Sequence, residues 1–301
     1  MDFDVIIIGG GPGGLSCALY TARANLKTLV LEGTGIGGQV NYTYEVDNYL
    51  GFTGTGAELS EKMREQVESF GVTFLSEKAR EIADWDKDMK TVKTRRNTYR
   101  AKAIVIATGA NPRLLGVDGE ERLKGAGVSY CATCDGAFFK DKTAMVVGGG
   151  NTALEDAVYL AKFCPKVYLV HRRDSFRANA MLLEKVKNLP NICVKTNAVV
   201  EKIQGDMAVK SVILRNTLSS KISVVDTDAV FVAIGRNPET SIVAEKLALD
   251  NAGYIVTDEN MRTNVDGVYA IGDVRNTPLR QIVTAAADGA VAANDIVQKL
   301  G

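Results

Sequence analysis

The residues best equipped for chemistry in this chain lie in "VSYCATCDGAFF", residues 128–139, where Cys131 and Cys134 flank Ala-Thr and Asp135 follows. Thiols at this spacing can close into a small disulfide ring, and one of them can have its pKa lowered. Such a pair exchanges with a partner disulfide through a mixed disulfide, one thiolate attacking and the other resolving. Zinc is the competing use of a Cys-x-x-Cys pair. The remaining cysteines, Cys17, Cys164 and Cys193, are isolated and supply no second pair for a tetrahedral site. The expectation is therefore no metal, with those three as small buried or inert thiols.

Two segments have the pattern needed to hold a nucleotide. "DVIIIGGGPGGLSCALYTARANLKTLVLEG" reads as an apolar strand, a glycine turn, an Ala-rich helix and a second apolar strand. "TAMVVGGGNTALEDAVYLAKFCPKVYLVHRR" repeats that order, Gly148 standing where Gly9 stood. In the first, Gly9, Gly11 and Gly14 form a G-x-G-x-x-G fingerprint, with Pro12 and Gly13 between. Such glycines permit the tight turn, the approach of backbone to a pyrophosphate and close helix–strand packing, and the helix N-terminus faces the phosphates. Glu32 ends the second strand, where a carboxylate accepts hydrogen bonds from ribose hydroxyls.

The second fingerprint is Gly148, Gly150 and Ala153, with Asn151 and Thr152 between. Its second strand ends without an acid, in His171, Arg172 and Arg173, with Arg177 following. A guanidinium fork pairs with a 2′-phosphate that a carboxylate would repel, so this grip reads as NADP(H) rather than NAD(H). His171 is the single histidine of the chain, and its place makes it a phosphate neighbour rather than a catalytic base. Near the C-terminus, "GVYAIGDVRNTPLRQIVTAAADGAVAAND" ends an apolar strand at Gly272 and Asp273, then opens a long helix after Arg280 and Gln281. An Asp there can bond a polyol chain, and a helix N-terminus can stabilise charge on a reduced flavin ring, which together with Glu32 indicates FAD for the first nucleotide.

The elements that position these groups imply an α/β fold of two Rossmann-like dinucleotide-binding domains. "AIVIATGANPR" and "AVFVAIGRNPET" end the two halves alike, as apolar strand, glycine and Asn-Pro, and read as crossovers between domains. The expected organisation is a discontinuous FAD-binding domain, residues 1–112 plus 241–301, into which an NADPH-binding domain, residues 113–240, is inserted. "KTVKTRRNTYRAK" reads as a surface β-meander whose cations form a solvated face. The 36 basic and 36 acidic residues balance, which argues against nucleic acid or anionic membrane as partner. No apolar run approaches the roughly 20 residues of a membrane helix, and the acidic start "MDFD" does not open a signal peptide, so a cytoplasmic location is expected.

Taken in order, GGGPGG, GGQ at 37–39, CATCDG, GGGNTALEDA, HRRDSFRA and GDV…RQ before TAAADG resemble the low-molecular-weight thioredoxin reductases over essentially the whole chain. The resemblance implies that NADPH reduces FAD, FAD reduces the Cys131–Cys134 disulfide, and the dithiol reduces thioredoxin or a thioredoxin-like protein. It places Cys134 against the flavin, Cys131 toward thioredoxin and Asp135 as the acid/base; no histidine lies near the pair to do that work. It also implies a homodimer, and domains that rotate about 109–112 and 235–238. Gly37, Gly38, Gln39 and Asn48 match flavin-contacting positions, and the backbone near Arg80 matches where the adenine is held. Arg280, Gln281 and Ile282 match an Arg-Gln-small triplet, from which the bulk of Ile282 departs. Competing readings are a flavoprotein dithiol oxidase, a ferredoxin-linked reductase and an NADP(H)-binding redox sensor; the HRR…R cluster speaks against the first two.

Overall fold

The first apolar run becomes the centre of a parallel sheet in a computed structural model of the chain, which describes residues 1–43 and 45–301. Strand β1 (Asp2–Ile8), helix α1 (Pro12–Arg23) and strand β2 (Thr28–Leu31) form a β-α-β unit, with Val5 opposite Thr28 and Ile8 opposite Leu31. Val5, Ile6 and Ile7 are wholly buried, because both faces of the sheet are covered; hence the run is continuous rather than alternating. β3 (Val46–Tyr49) and β4 (Phe52–Gly54) make a small antiparallel pair before α2 (Gly56–Glu68). Thr55 and Glu58 close a capping box at the start of α2.

β5 (Thr73–Leu75) then adds beside β2. β6 (Glu81–Ala83), β7 (Lys90–Lys93) and β8 (Thr98–Ile106) run antiparallel, and β8 continues along β1 in parallel. The basic stretch expected to be a surface meander is antiparallel but not all surface. Lys90 is 4% exposed and Val92 fully buried, because this arm packs on the sheet core. The Lys90 ammonium donates to Lys87 O at 3.2 Å, and burial holds its pKa below the ordinary value.

After β9 (Ala110–Pro112) a second unit begins. It runs through β10 (Val128–Ser129), α3 (Ala132–Asp135), β11 (Thr143–Gly148), α4 (Asn151–Leu160), β12 (Lys166–Val170), α5 (Ala180–Asn188) and β13 (Ile192–Lys195). The chain goes on through β14 (Ala198–Gln204), β15 (Ser211–Asn216), β16 (Ile222–Asp226) and β17 (Ala229–Ala233). The parallel sheet has the order β10-β17-β11-β12-β13, while β14, β15 and β16 form an antiparallel meander. One face of the parallel sheet packs Met145, Val147 and Val170 against Val200, Ile203 and Leu214 of that meander. The other packs Val146, Leu169 and Phe231 against Leu154 and Ala157 of α4 and Val186 of α5.

β18 (Arg236–Pro238) pairs with β9, so the two connections run side by side; Gly109 and Gly235 there have φ of 72° and 106°, open to glycine. β19 (Val268–Ala270) lies parallel to β8, and α6 (Ile282–Leu300) packs on α1. The two compact units are thus Met1–Asn111 with Asn237–Gly301, and Pro112–Arg236. The fold is α/β, with two Rossmann-type domains, one inserted in the other. Among the described residues no helix is long and apolar enough to cross a membrane.

Candidate active site

In the first unit the glycine turn after β1 admits nothing larger at Gly9 or Gly14. A Cβ on Gly9 (φ 117°) would stand 2.2 Å from Ala107 O, and one on Gly14 2.0 Å from Gly9 O. At Gly11 that direction is open, leaving the backbone approachable. No side chain caps α1, which begins at Pro12 followed by Gly13, whereas Thr55 caps α2 and Asn179 caps α5. The free N–H groups of that first turn suit a diphosphate. Glu32 is fixed at the end of β2: Gly10 N and Thr34 N each donate to its carboxylate at 2.7 Å. Gly37 N donates to Gly10 O at 2.8 Å, bringing Gly37 and Gly38 against the turn.

Around this turn the chain gathers residues far apart in sequence. Gln39 Nε2 donates to Ala110 O. Asn48 Nδ2 donates to Gln281 Oε1 at 3.3 Å, and Gln281 caps α6. Ile282 packs with Val40, Val46 and Leu59, which accommodates its bulk. Gly272 (φ 69°) donates its N–H to Asp288 Oδ2 at 3.0 Å, and Asp273 follows, half-buried. The Arg280 guanidinium lies 4.0 Å over the Tyr254 ring and donates to Asp273 O at 3.5 Å. Arg80 is exposed, its backbone N–H bonded to Lys93 O, and Lys78 nearby in sequence packs against Gly33 beside Glu32.

The second unit repeats the cradle with different chemistry. A Cβ on Gly148 would stand 2.3 Å from Ala233 O and 2.7 Å from Ala153 Cβ, while Gly150 is open. α4 likewise starts without a side-chain cap; Asn151 Oδ1 accepts from Asn179 N, and Thr152 is exposed. His171 covers Gly149, stacks on Phe176 at 5.0 Å and sets Nε2 3.0 Å from Ser175 O. Burial lowers its pKa, and the charges of Arg173, Arg172 and Arg177 add to this, so the ring is neutral near pH 7. Arg172, Arg173 and Arg177 are exposed and pair with no carboxylate among the described residues.

In the same unit Cys131 and Cys134 form a disulfide, Cα to Cα 5.3 Å, with Cys131 at the N-cap of α3. Asp135 closes that turn, its N–H donating to Cys131 O at 3.1 Å, and its carboxylate accepts from Ser129 Oγ at 2.5 Å. Cys17 and Cys164 are buried elsewhere, and burial pushes their thiols up to about 12 and about 11. They are protonated and unreactive at neutral pH.

Residues 3–289 match the pyridine nucleotide-disulphide oxidoreductase family. The chain is 47% identical over 299 residues to the thioredoxin reductase of Peptoclostridium acidaminophilum, covering 97% of this chain and 95% of that protein. It is 45% identical over 297 residues to the Bacillus subtilis (strain 168) thioredoxin reductase, with 98% and 93% covered. The crystal structure of thioredoxin reductase from Streptococcus pyogenes MGAS5005 aligns with a TM-score of 0.95 at 42% identity, covering 99% of this chain and 98% of that one. The chain belongs to the pyridine nucleotide-disulphide oxidoreductases, in their thioredoxin reductase branch.

Four further residues, which the sequence motifs alone do not single out, stand at or beside these sites. Ser129 binds the Asp135 carboxylate. Asp156 on α4 is pushed up to about 7, chiefly by burial. Arg275 and Asp288, both 13% exposed, form an ion pair at 3.3 Å under the Gly272–Asp273 turn. Burial raises the Asp288 pKa, opposed by Arg275 and the Gly272 N–H. All four stand inside or next to motifs the sequence displays; what it lacks is any sign of their partners.

Proposed function

We propose that the chain is an NADPH-dependent, FAD-containing thioredoxin-disulfide reductase. One observation carries this: a Cys131–Cys134 disulfide with an acid on its own turn, in the unit whose glycine cradle ends in unpaired arginines. Gly9, Gly11 to Gly14, Glu32, Gly37 to Gln39, Asn48, Gly272, Asp273 and Arg280 to Ile282 would hold FAD, with Arg80 at the adenine end. Gly148, Gly150 to Ala153, His171, Arg172, Arg173 and Arg177 would hold NADPH, the guanidinium groups taking the 2′-phosphate. When bound, the two cofactors supply hydride chemistry that delivers an electron pair to the disulfide.

The chain's own groups do the rest. Opening the Cys131–Cys134 bond takes two electrons and two protons and leaves two thiols. Cys131 as thiolate attacks the disulfide of thioredoxin or a thioredoxin-like protein, and Cys134 then displaces the reduced partner and re-forms the internal bond. Asp135 takes the proton released by the attacking thiol and returns it to the departing thiolate. A homodimer acting in the cytoplasm completes the reading.

Anaerobic titration with NADPH, and in parallel NADH, tests it through flavin absorbance. Bleaching that consumes about two hydride equivalents per flavin, one for FAD and one for the disulfide, supports the relay. Cys134→Ser should consume about one. A flavin that stays oxidised with NADPH would refute the NADPH assignment and point to ferredoxin or a dithiol as electron source.

A further inference from the structure

Ser129 ends β10 with 5% of its surface exposed, and its hydroxyl stands at the junction of three groups. Its Oγ donates to Asp135 Oδ2 at 2.5 Å, accepts from Cys131 N at 3.1 Å and lies 3.3 Å from Cys131 O. A hydroxyl has one hydrogen, so it cannot serve Asp135 and Cys131 O together. With Asp135 ionised, the hydrogen points to the carboxylate. With Asp135 protonated, the carboxyl O–H donates to Ser129 Oγ and the serine hydrogen turns to Cys131 O. In neither state is a buried polar atom of this trio left without a partner, which would otherwise favour one state heavily.

We propose that Ser129 is a positioning residue that holds Asp135 beside the Cys131–Cys134 pair and lets it gain and lose a proton with little structural penalty. The proposal rests on the acid/base role given to Asp135 above. No atom is consumed: the proton that Asp135 takes from a thiol is the one it returns to the departing thiolate, while the serine proton only turns between two acceptors. Charged groups on the elements beside α3 include Glu155 and Asp156 on α4, which packs against it, with Arg236 acting on Asp156, and Lys140 after Phe139. On the β10 side, Tyr130 donates to Glu120 at 3.1 Å.

The test is the pH profile of thioredoxin reduction by the pre-reduced holoenzyme, followed by rapid mixing from pH 5.5 to 9. Wild type, Ser129→Ala, Ser129→Thr, Asp135→Asn and Asp156→Asn are compared, the last to remove a second group titrating in this range. Asp135→Asn should slow exchange at least about tenfold and erase one inflection. Ser129→Ala, with an unchanged thermal melt, should shift that inflection upward by roughly one unit, because the ionised carboxylate loses a charge-assisted bond. Ser129→Thr keeps the hydroxyl and should restore it. A Ser129→Ala profile that overlies wild type, or a threonine variant that behaves like alanine, overturns the proposal while leaving Asp135 in place. An Asp135→Asn profile that overlies wild type removes the acid/base reading and this one with it.

Discussion

Asp156, on the helix that follows the second glycine turn, is a carboxylate in the wrong solvent. Burial, and then the charge of Glu155, push its pKa from 3.8 to about 7, while Arg236 pulls it down. Between those values the folded chain holds a proton that the unfolded chain has released, so this group's contribution to stability falls as pH rises through the window. Asp156→Asn removes the penalty. The variant should match wild type in thermal melts near pH 4 and exceed it by about 2 kcal/mol at pH 8, roughly half the full shift because the side chain keeps some water. Melts with the same pH dependence in both proteins would refute this. Residues whose signal is local were legible in sequence: the cysteine pair, the glycines, and the arginines at the end of β12. Asp156, Ser129 and Asp288 were not, because their chemistry comes from neighbours on other elements. A serine before a Cys-x-x-Cys pair looks like any strand serine until a carboxylate stands 2.5 Å away.

Helices α1 and α6 meet through a stripe of small residues. A Cβ on Gly289 would stand 2.3 Å from Gly13 O and 2.8 Å from Cys17 N, both backbone atoms that cannot step aside. Alanine ordinarily favours a helix over glycine by about 1 kcal/mol, but overpacking against backbone costs roughly 1–3 kcal/mol, so the clash wins. The damage would reach the turn proposed to hold the flavin nucleotide, since α6 carries Gln281 at its cap and Asp288 bonded to Gly272 N. Gly289→Ala should therefore lower the melting temperature by several degrees and lose bound flavin on dialysis, whereas Val291→Ala, exposed on the same helix, should do neither. Full flavin content in the glycine variant would sink the idea. At this scale the β-α-β units were readable because strand, turn and helix are contiguous. The burial of Lys90 was not, since lysines along a strand read as solvated until the sheet they lean on is known.

The whole chain closes its first unit late. Residues 1–111 supply α1, α2 and most of the large sheet, yet their core also needs Val243, Leu247, Ile255, Val268 and Val274 on one side and Tyr269, Ile271, Ala292 and Ile296 on the other. β19 and α6 thus complete a sheet and a helix layer whose other members lie more than 100 residues earlier in the chain. That pairing has no local signature, which is why it was legible only through the likeness of the two glycine units and of the segments that end them. The second unit, Pro112–Arg236, contains both of its core clusters, and its parallel sheet draws every strand from within it. About 125 residues with a core of their own fall in the ordinary size range of an independent domain. The fragment 112–236 should therefore fold alone and melt cooperatively, and the NADPH site proposed for it predicts a gain of about 2.7 kcal/mol of stability from NADP⁺ at a hundred times its Kd. The fragment 1–111 should show no cooperative melt until 237–301 is added in trans, because its sheet would expose an apolar edge and face. Circular dichroism melts of the three fragments decide the matter. A cooperative transition in 1–111 alone, or none in 112–236, would mean that the division of the core between the two units does not govern how the chain folds.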